Sequence, residues 1–129
     1  MSDKVKFEME FEIKSSTNVL FNMISTPSGL SEWFSDDVNI KDDVYTFFWD
    51  GTSEEAKLLT RKKGEAIKFQ WMEHFEEGEK TFFEMAIKVD DLTNDVALIV
   101  TDFADEDELD EAQLLWENQI ADLKMTIGS

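Results

Sequence analysis

Cysteine is missing altogether from the 129 residues, so disulfides and thiolate metal sites are excluded and stability has to come from packing. Histidine occurs once, at His74, which leaves little room for chemistry that leans on an imidazole. Basic side chains are scarce: 12 against 30 acidic residues give a formal charge of −18, a field that repels phosphate backbones and anionic membrane surfaces. Nucleic-acid binding is therefore not expected. No run approaches the ~20 consecutive apolar residues needed to cross a bilayer, so membrane insertion is not expected either. The lack of a charged start followed by an apolar run argues against secretion and places the chain in the cytoplasm.

What is present suits a packed domain. The length fits a single domain over residues 1–129, able to bury about two thirds of the surface its unfolded form exposes. Aromatic residues are plentiful, with 11 phenylalanines and 4 tryptophans, and the acidic excess reads as a solvated shell that keeps them soluble. The one long run with helical spacing is 105–127. Leu109, Ala112, Trp116, Ile120, Leu123 and Ile127 fall three or four apart on one stripe, Asp105 to Glu108 offer a capping carboxylate, and Lys124 and Gly128 suit the far end.

Upstream of that helix the period is two. Val5, Phe7, Met9, Phe11 and Ile13 alternate with charged residues, which predicts a half-buried strand. Ser15 to Thr17 then offer caps for a short helix through Val19, Leu20, Met23 and Ile24, and Pro27 stops it and opens a second short helix containing Leu30, Trp33 and Phe34. Turn signals at Asp42-Asp43, Asp50-Gly51, Lys63-Gly64, Glu77-Gly78 and Asp90 to Asp95 divide the middle into strands over 38–41, 44–50, 53–62, 65–73, 80–89 and 95–103. Short connections make successive strands antiparallel neighbours in a meander. Around Tyr45 to Trp49 and Val96 to Phe103 both faces are apolar, which predicts cover on two sides, one by the long helix and the other by a second subunit.

Catalytic constellations are not found. His74 precedes a hairpin turn among carboxylates and reads as a surface histidine. No serine sits in a nucleophile elbow, and no glycine-rich loop opens a helix to cradle phosphate. The acids from Asp102 to Glu111 lack the spacing of a calcium loop, so helix capping explains them better, and no metal or cofactor is expected. Asp102 is the carboxylate to inspect because its strand is otherwise apolar; the simpler reading is an acid at the strand's wet end.

One strand, two short helices, six antiparallel strands and a long final helix form the element order of the helix-grip fold. The segment Thr26-Pro27-Ser28-Gly29-Leu30-Ser31-Glu32-Trp33-Phe34 resembles the T-P-x-x-L-x-x-W pattern of the START-like superfamily, especially its branch of heat-shock ATPase activator homologues. Phe69-Gln70-Trp71 and the Thr101 to Phe103 strand sit where that branch carries similar residues, whereas Glu54 to Arg61 lacks its glycine-rich pair of strands. The resemblance implies an α+β fold in which a curved sheet of about seven strands grips the last helix around a groove or cavity. A curved sheet closing on one helix leaves space at an open end, and bulky aromatics line such space readily. Trp33, Trp49, Phe69, Trp71, Phe83, Trp116 and Ile120 are the candidate lining residues. The leading expectation is non-catalytic binding of a small hydrophobic or amphipathic ligand there. The alternative is an interaction module, a homodimer or chaperone-associated regulator, suggested by Phe48 and Phe82 on the faces opposite the expected core.

Overall fold

The computed structural model describes residues 4–128. The alternating first segment is strand β1 (Lys4–Glu12), with Phe7 buried and Lys6, Glu8, Glu10 and Glu12 exposed. Ser16 then caps α1 (Thr17–Ser25), its Oγ accepting from the Val19 N–H at 3.1 Å. Thr26 both ends α1 and starts α2 (Pro27–Trp33): its hydroxyl donates to the Asn22 carbonyl at 2.8 Å and accepts from the Gly29 N–H at 2.9 Å. Pro27 sits in the first turn of α2, where its missing N–H has no helical partner to lose.

A meander follows: β2 (Asp37–Lys41), β3 (Val44–Trp49), β4 (Thr52–Lys62), β5 (Ala66–Trp71), β6 (Phe83–Val89) and β7 (Val96–Asp105). Its corners use the turn residues that the sequence marks. Asp42 and Asp43 both take positive φ (49° and 61°), as do Asp50 (41°) and Gly51 (87°), the pattern of two-residue hairpins whose twist matches the strands. The curved seven-stranded antiparallel sheet runs in the order β1-β7-β6-β5-β4-β3-β2, so the first strand pairs with the last, Lys4 opposite Asp105 through Glu12 opposite Ala97. The final helix α4 (Leu109–Ile127) ends at Gly128 in the left-handed region and buries Trp116, Ile120 and Leu123 of its stripe.

Three local expectations need correction. The stretch expected as a strand over 65–73 ends at Trp71, and Met72–Glu76 turns into a five-residue helix, α3, too short for a 3.6-residue period to register. The acids before α4 do not cap it through their side chains; Glu106–Glu108 form a 3-10 turn that leads directly into the helix. Phe48 and Phe82 point away from the core as expected but are half-buried rather than free. Phe82 packs edge-on against Phe103 at 5.1 Å, with the Lys68 ammonium 4.3 Å from its ring.

Candidate functional site

The space under α4 is filled with rings. Inward alternation in β3 puts Tyr45, Phe47 and Trp49 on the concave face, β5 adds Phe69 and Trp71, and β6 adds Phe83. Phe69 and Phe83 stack at 5.1 Å, Trp71 and Phe83 at 4.9 Å, and Phe47 meets Phe69 and Trp71 edge-on at 6.0 and 5.9 Å. Phe34, just past α2, joins this cluster to the helices, lying 5.4 Å from Trp33, 5.6 Å from Trp49, 6.1 Å from Phe83 and 6.0 Å from Trp116. Six of the seven candidate lining residues therefore belong to one connected ring cluster, with Ile120 buried among them.

Where that packing stops, a groove of about 650 Å³ opens to solvent between α2 and α4. Trp33, Phe34 and Trp49 line it from the core side, Leu115, Gln119, Asp122, Met125 and Thr126 from α4, and Ser31, Glu32, Ser35 and Asp36 from the end of α2. Of the candidates, Trp33 and Trp49 reach this groove; Phe69, Phe83, Trp116 and Ile120 lie behind it. Trp71 instead lines a second opening of about 500 Å³ with His74, Met72 and the acids Glu54, Glu55, Glu73 and Glu76. Leu115 and Met125 are groove residues that the sequence reading did not name, and Phe34 was read only as part of the second short helix. The signal of Leu115 and Met125 was apolar character off the helix stripe, and they remain 58% and 80% exposed.

Indole N–H groups fix the floor. Trp33 donates to the Met23 carbonyl and Trp49 to the Phe34 carbonyl, both at 2.9 Å, and the Phe34 oxygen also accepts from Gln119 of α4 at 3.4 Å. Both tryptophans are thus held in one orientation at the inner wall of the groove, Trp33 buried and Trp49 half-buried.

Asp102 is not at a wet end. It shares the concave face with Leu98 and Val100, and α4 covers it: Oδ2 accepts from the Trp116 indole at 2.8 Å and Oδ1 from the Phe103 N–H at 2.7 Å. Burial pushes its pKa above the ordinary carboxylate value, opposed by those two hydrogen bonds and by His74. A Trp116→Phe variant keeps a ring but leaves this carboxylate one donor short, with an expected cost of about 1.5–3 kcal/mol near pH 7. The loss of the donor raises the folded-state pKa further, so the cost is fully present where Asp102 is ionised and shrinks as pH falls through its titration. Urea midpoints at about pH 7 and about pH 4 check this; an equal loss at both would contradict it.

Tyr45 and His74 bond within the fold. The Tyr45 hydroxyl donates to the Ser25 carbonyl at 2.9 Å, and burial raises its pKa. His74 is half-buried rather than a free surface residue; its Nδ1 is 2.7 Å from the Thr81 hydroxyl and its Nε2 3.9 Å from Glu79. Among the described residues no group of three His, Asp or Glu side chains is placed to hold a metal ion, and no helix is long and apolar enough to cross a membrane.

Comparison with curated proteins gives no match. Solved structures resemble the chain closely. A Bacteroides fragilis protein with a solution structure is 34% identical, with 98% of this chain and 92% of that one covered at a TM-score of 0.68. The Aha1 dimer from Colwellia psychrerythraea superimposes at 0.79 with 16% identity, covering 95% and 96% of the two chains. A Cytophaga hutchinsonii protein superimposes at 0.70 with 13% identity, covering 96% and 94%. The family model described as a START-like superfamily domain matches residues 1–129, and the chain belongs to that superfamily.

Proposed function

We propose that the protein binds a small amphipathic molecule in the groove between α2 and α4, without catalysing a reaction on it. The observation that carries this reading is the pairing of an indole-lined floor, Trp33 and Trp49, with exposed apolar side chains on the facing helix, Leu115 and Met125. The volume falls in the range of small-molecule sites, and five apolar side chains, Trp33, Phe34, Trp49, Leu115 and Met125, share the lining with seven polar or charged ones. Gln119, Ser31, Ser35 and Thr126 would orient a hydroxyl or amide. Glu32, Asp36 and Asp122 line the groove and no lysine or arginine does, so the charge favours a neutral or cationic head group over a carboxylate or phosphate. Phe69, Phe83 and Trp116 back the floor from behind with Ile120 packed among them, and Trp71, which lines the opening by α3, joins them through the ring cluster.

Titration with the neutral solvatochromic dye Nile red tests the reading, with native mass spectrometry of freshly purified protein as a companion. Leu115→Asp and Met125→Asp, both at exposed positions that leave the core intact, are expected to weaken dye binding at least about tenfold. Leu92→Asp, at a 94% exposed position in the β6–β7 turn, should leave it unchanged. Equal binding by all four proteins, or no binding by any, would overturn the assignment.

A further inference from the structure

We propose that β1 is a self-association edge through which two copies of the chain pair antiparallel, with Phe7 opposite its counterpart on the twofold axis. The first support is hydrogen-bond parity. The Ile13 N–H donates to the Val96 carbonyl at 2.8 Å in the same register that sets Glu12 opposite Ala97. Alternate residues of an antiparallel strand bond to the same neighbour, so Val5, Phe7, Met9 and Phe11 direct their backbone groups at β7. Lys4, Lys6, Glu8, Glu10 and Glu12 direct theirs at the opposite edge, where no strand lies among the described residues.

The second support is charge register. β1 reads Lys-Val-Lys-Phe-Glu-Met-Glu-Phe-Glu, with both lysines before Phe7 and all three glutamates after it. Turning a second copy antiparallel about Phe7 sets Lys6 opposite Glu8 and Lys4 opposite Glu10, each twice, with no like charges facing. The same pairing sets Val5 opposite Met9 on the concave side, where Val5 is 39% exposed in the single chain. Sliding the axis by one residue to Glu8 also satisfies backbone parity but places Glu8 against Glu8. Parity and charge together therefore choose one register, and it supplies about eight inter-chain backbone hydrogen bonds from residues 4–10. Lys4 already lies 3.5 Å from Glu79 and 3.8 Å from Asp105, so the Lys6–Glu8 pairs decide the register. The other sheet edge, β2, has five residues against nine and offers a shorter ladder.

Sedimentation equilibrium of the full chain at about 0.15 M salt, where the net repulsion between two acidic copies is screened beyond ~8 Å, reads the association. The expected result is a monomer–dimer equilibrium. Glu8→Lys and Lys6→Glu, each setting like charges face to face at two symmetric places, should weaken it at least about tenfold. The double variant Lys6→Glu/Glu8→Lys restores opposite charges only in the register centred on Phe7, and should bring affinity back to within about threefold of the starting protein. Amides of Lys6, Glu8 and Glu10 should gain protection from hydrogen exchange as concentration rises. A protein that stays monomeric at the highest attainable concentration, a dimer indifferent to both single changes, or single-variant losses that the double variant fails to rescue would each overturn the proposal.

Discussion

A Phe47→Ala variant is expected to lose about 3–5 kcal/mol of stability, the range for removing a fully buried aromatic ring. Phe47 has no exposed surface and lies at the centre of the ring cluster, 5.0 Å from Phe34, 5.8 Å from Trp49, 6.0 Å from Phe69 and 5.9 Å from Trp71. Those rings belong to β3, β5 and the segment after α2, so none can move into the space without giving up contacts elsewhere. Urea unfolding followed by tryptophan fluorescence should show a lower midpoint with an unchanged slope. Leu114→Ala, at a 57% exposed position of α4, should stay within about 0.5 kcal/mol of the starting protein. A Phe47→Ala loss under about 1.5 kcal/mol would mean that the interior collapses around the missing ring, contrary to the interlocked packing described above.

Gly29→Ala is expected to cost about 3 kcal/mol or more, although it adds a single methyl group. A Cβ at residue 29 would collide with the Asn22 carbonyl oxygen and lie 2.7 Å from the Met23 Cα, both backbone atoms of α1. Backbone cannot rotate out of the way as a side chain does, so α1 and α2 must separate. Leu20, Ile24 and Leu30, all fully buried, would lose their mutual packing with that movement. The floor of the groove should suffer too, because α2 delivers Trp33 and Phe34 to it. Denaturant unfolding and Nile red binding are expected to fall together, while Ser28→Ala one residue earlier leaves both nearly intact. A Gly29→Ala protein as stable as the parent would show that the elbow is looser than these distances require.

Much of the architecture was legible because two of its signals are local. Alternation in β1 and β6 named the inward face, burying Phe7, Phe83 and Met85 while Val5 and Val89 at the strand ends stay exposed, and the Asp and Gly pairs at 42–43 and 50–51 adopted the positive φ angles that tight hairpins need. The Thr26-Pro27 pair marked the elbow between α1 and α2 for a similar reason, since Thr26 caps one helix while closing the other. The groove was less legible, because which aromatics remain accessible depends on how neighbouring elements cover them. Trp33, Trp71 and Trp116 look alike in sequence, yet Trp33 borders the α2–α4 groove, Trp71 faces the opening by α3, and Trp116 is turned into the core with its indole on Asp102. Leu115 and Met125 lay off the stripe of α4 and would ordinarily pass as incidental surface residues; the placement of α2 beside them gives them a shared wall. Asp102 had the parity of Leu98 and Val100 all along, and its concave position follows from period two once β7 is accepted as a strand.

The pairing of β1 with β7 also bears on how the chain is made. Roughly ninety residues separate the two partners, so closing this contact requires a large loss of loop entropy, and topologies rich in such distant contacts fold in milliseconds to seconds. On the ribosome, β1 emerges long before β7, the strand it pairs with, exists, with Phe7, Met9 and Phe11 uncovered in the meantime. The alternating lysines and glutamates of β1 then act during synthesis as gatekeepers, holding a sticky segment in solution until β7 has been made.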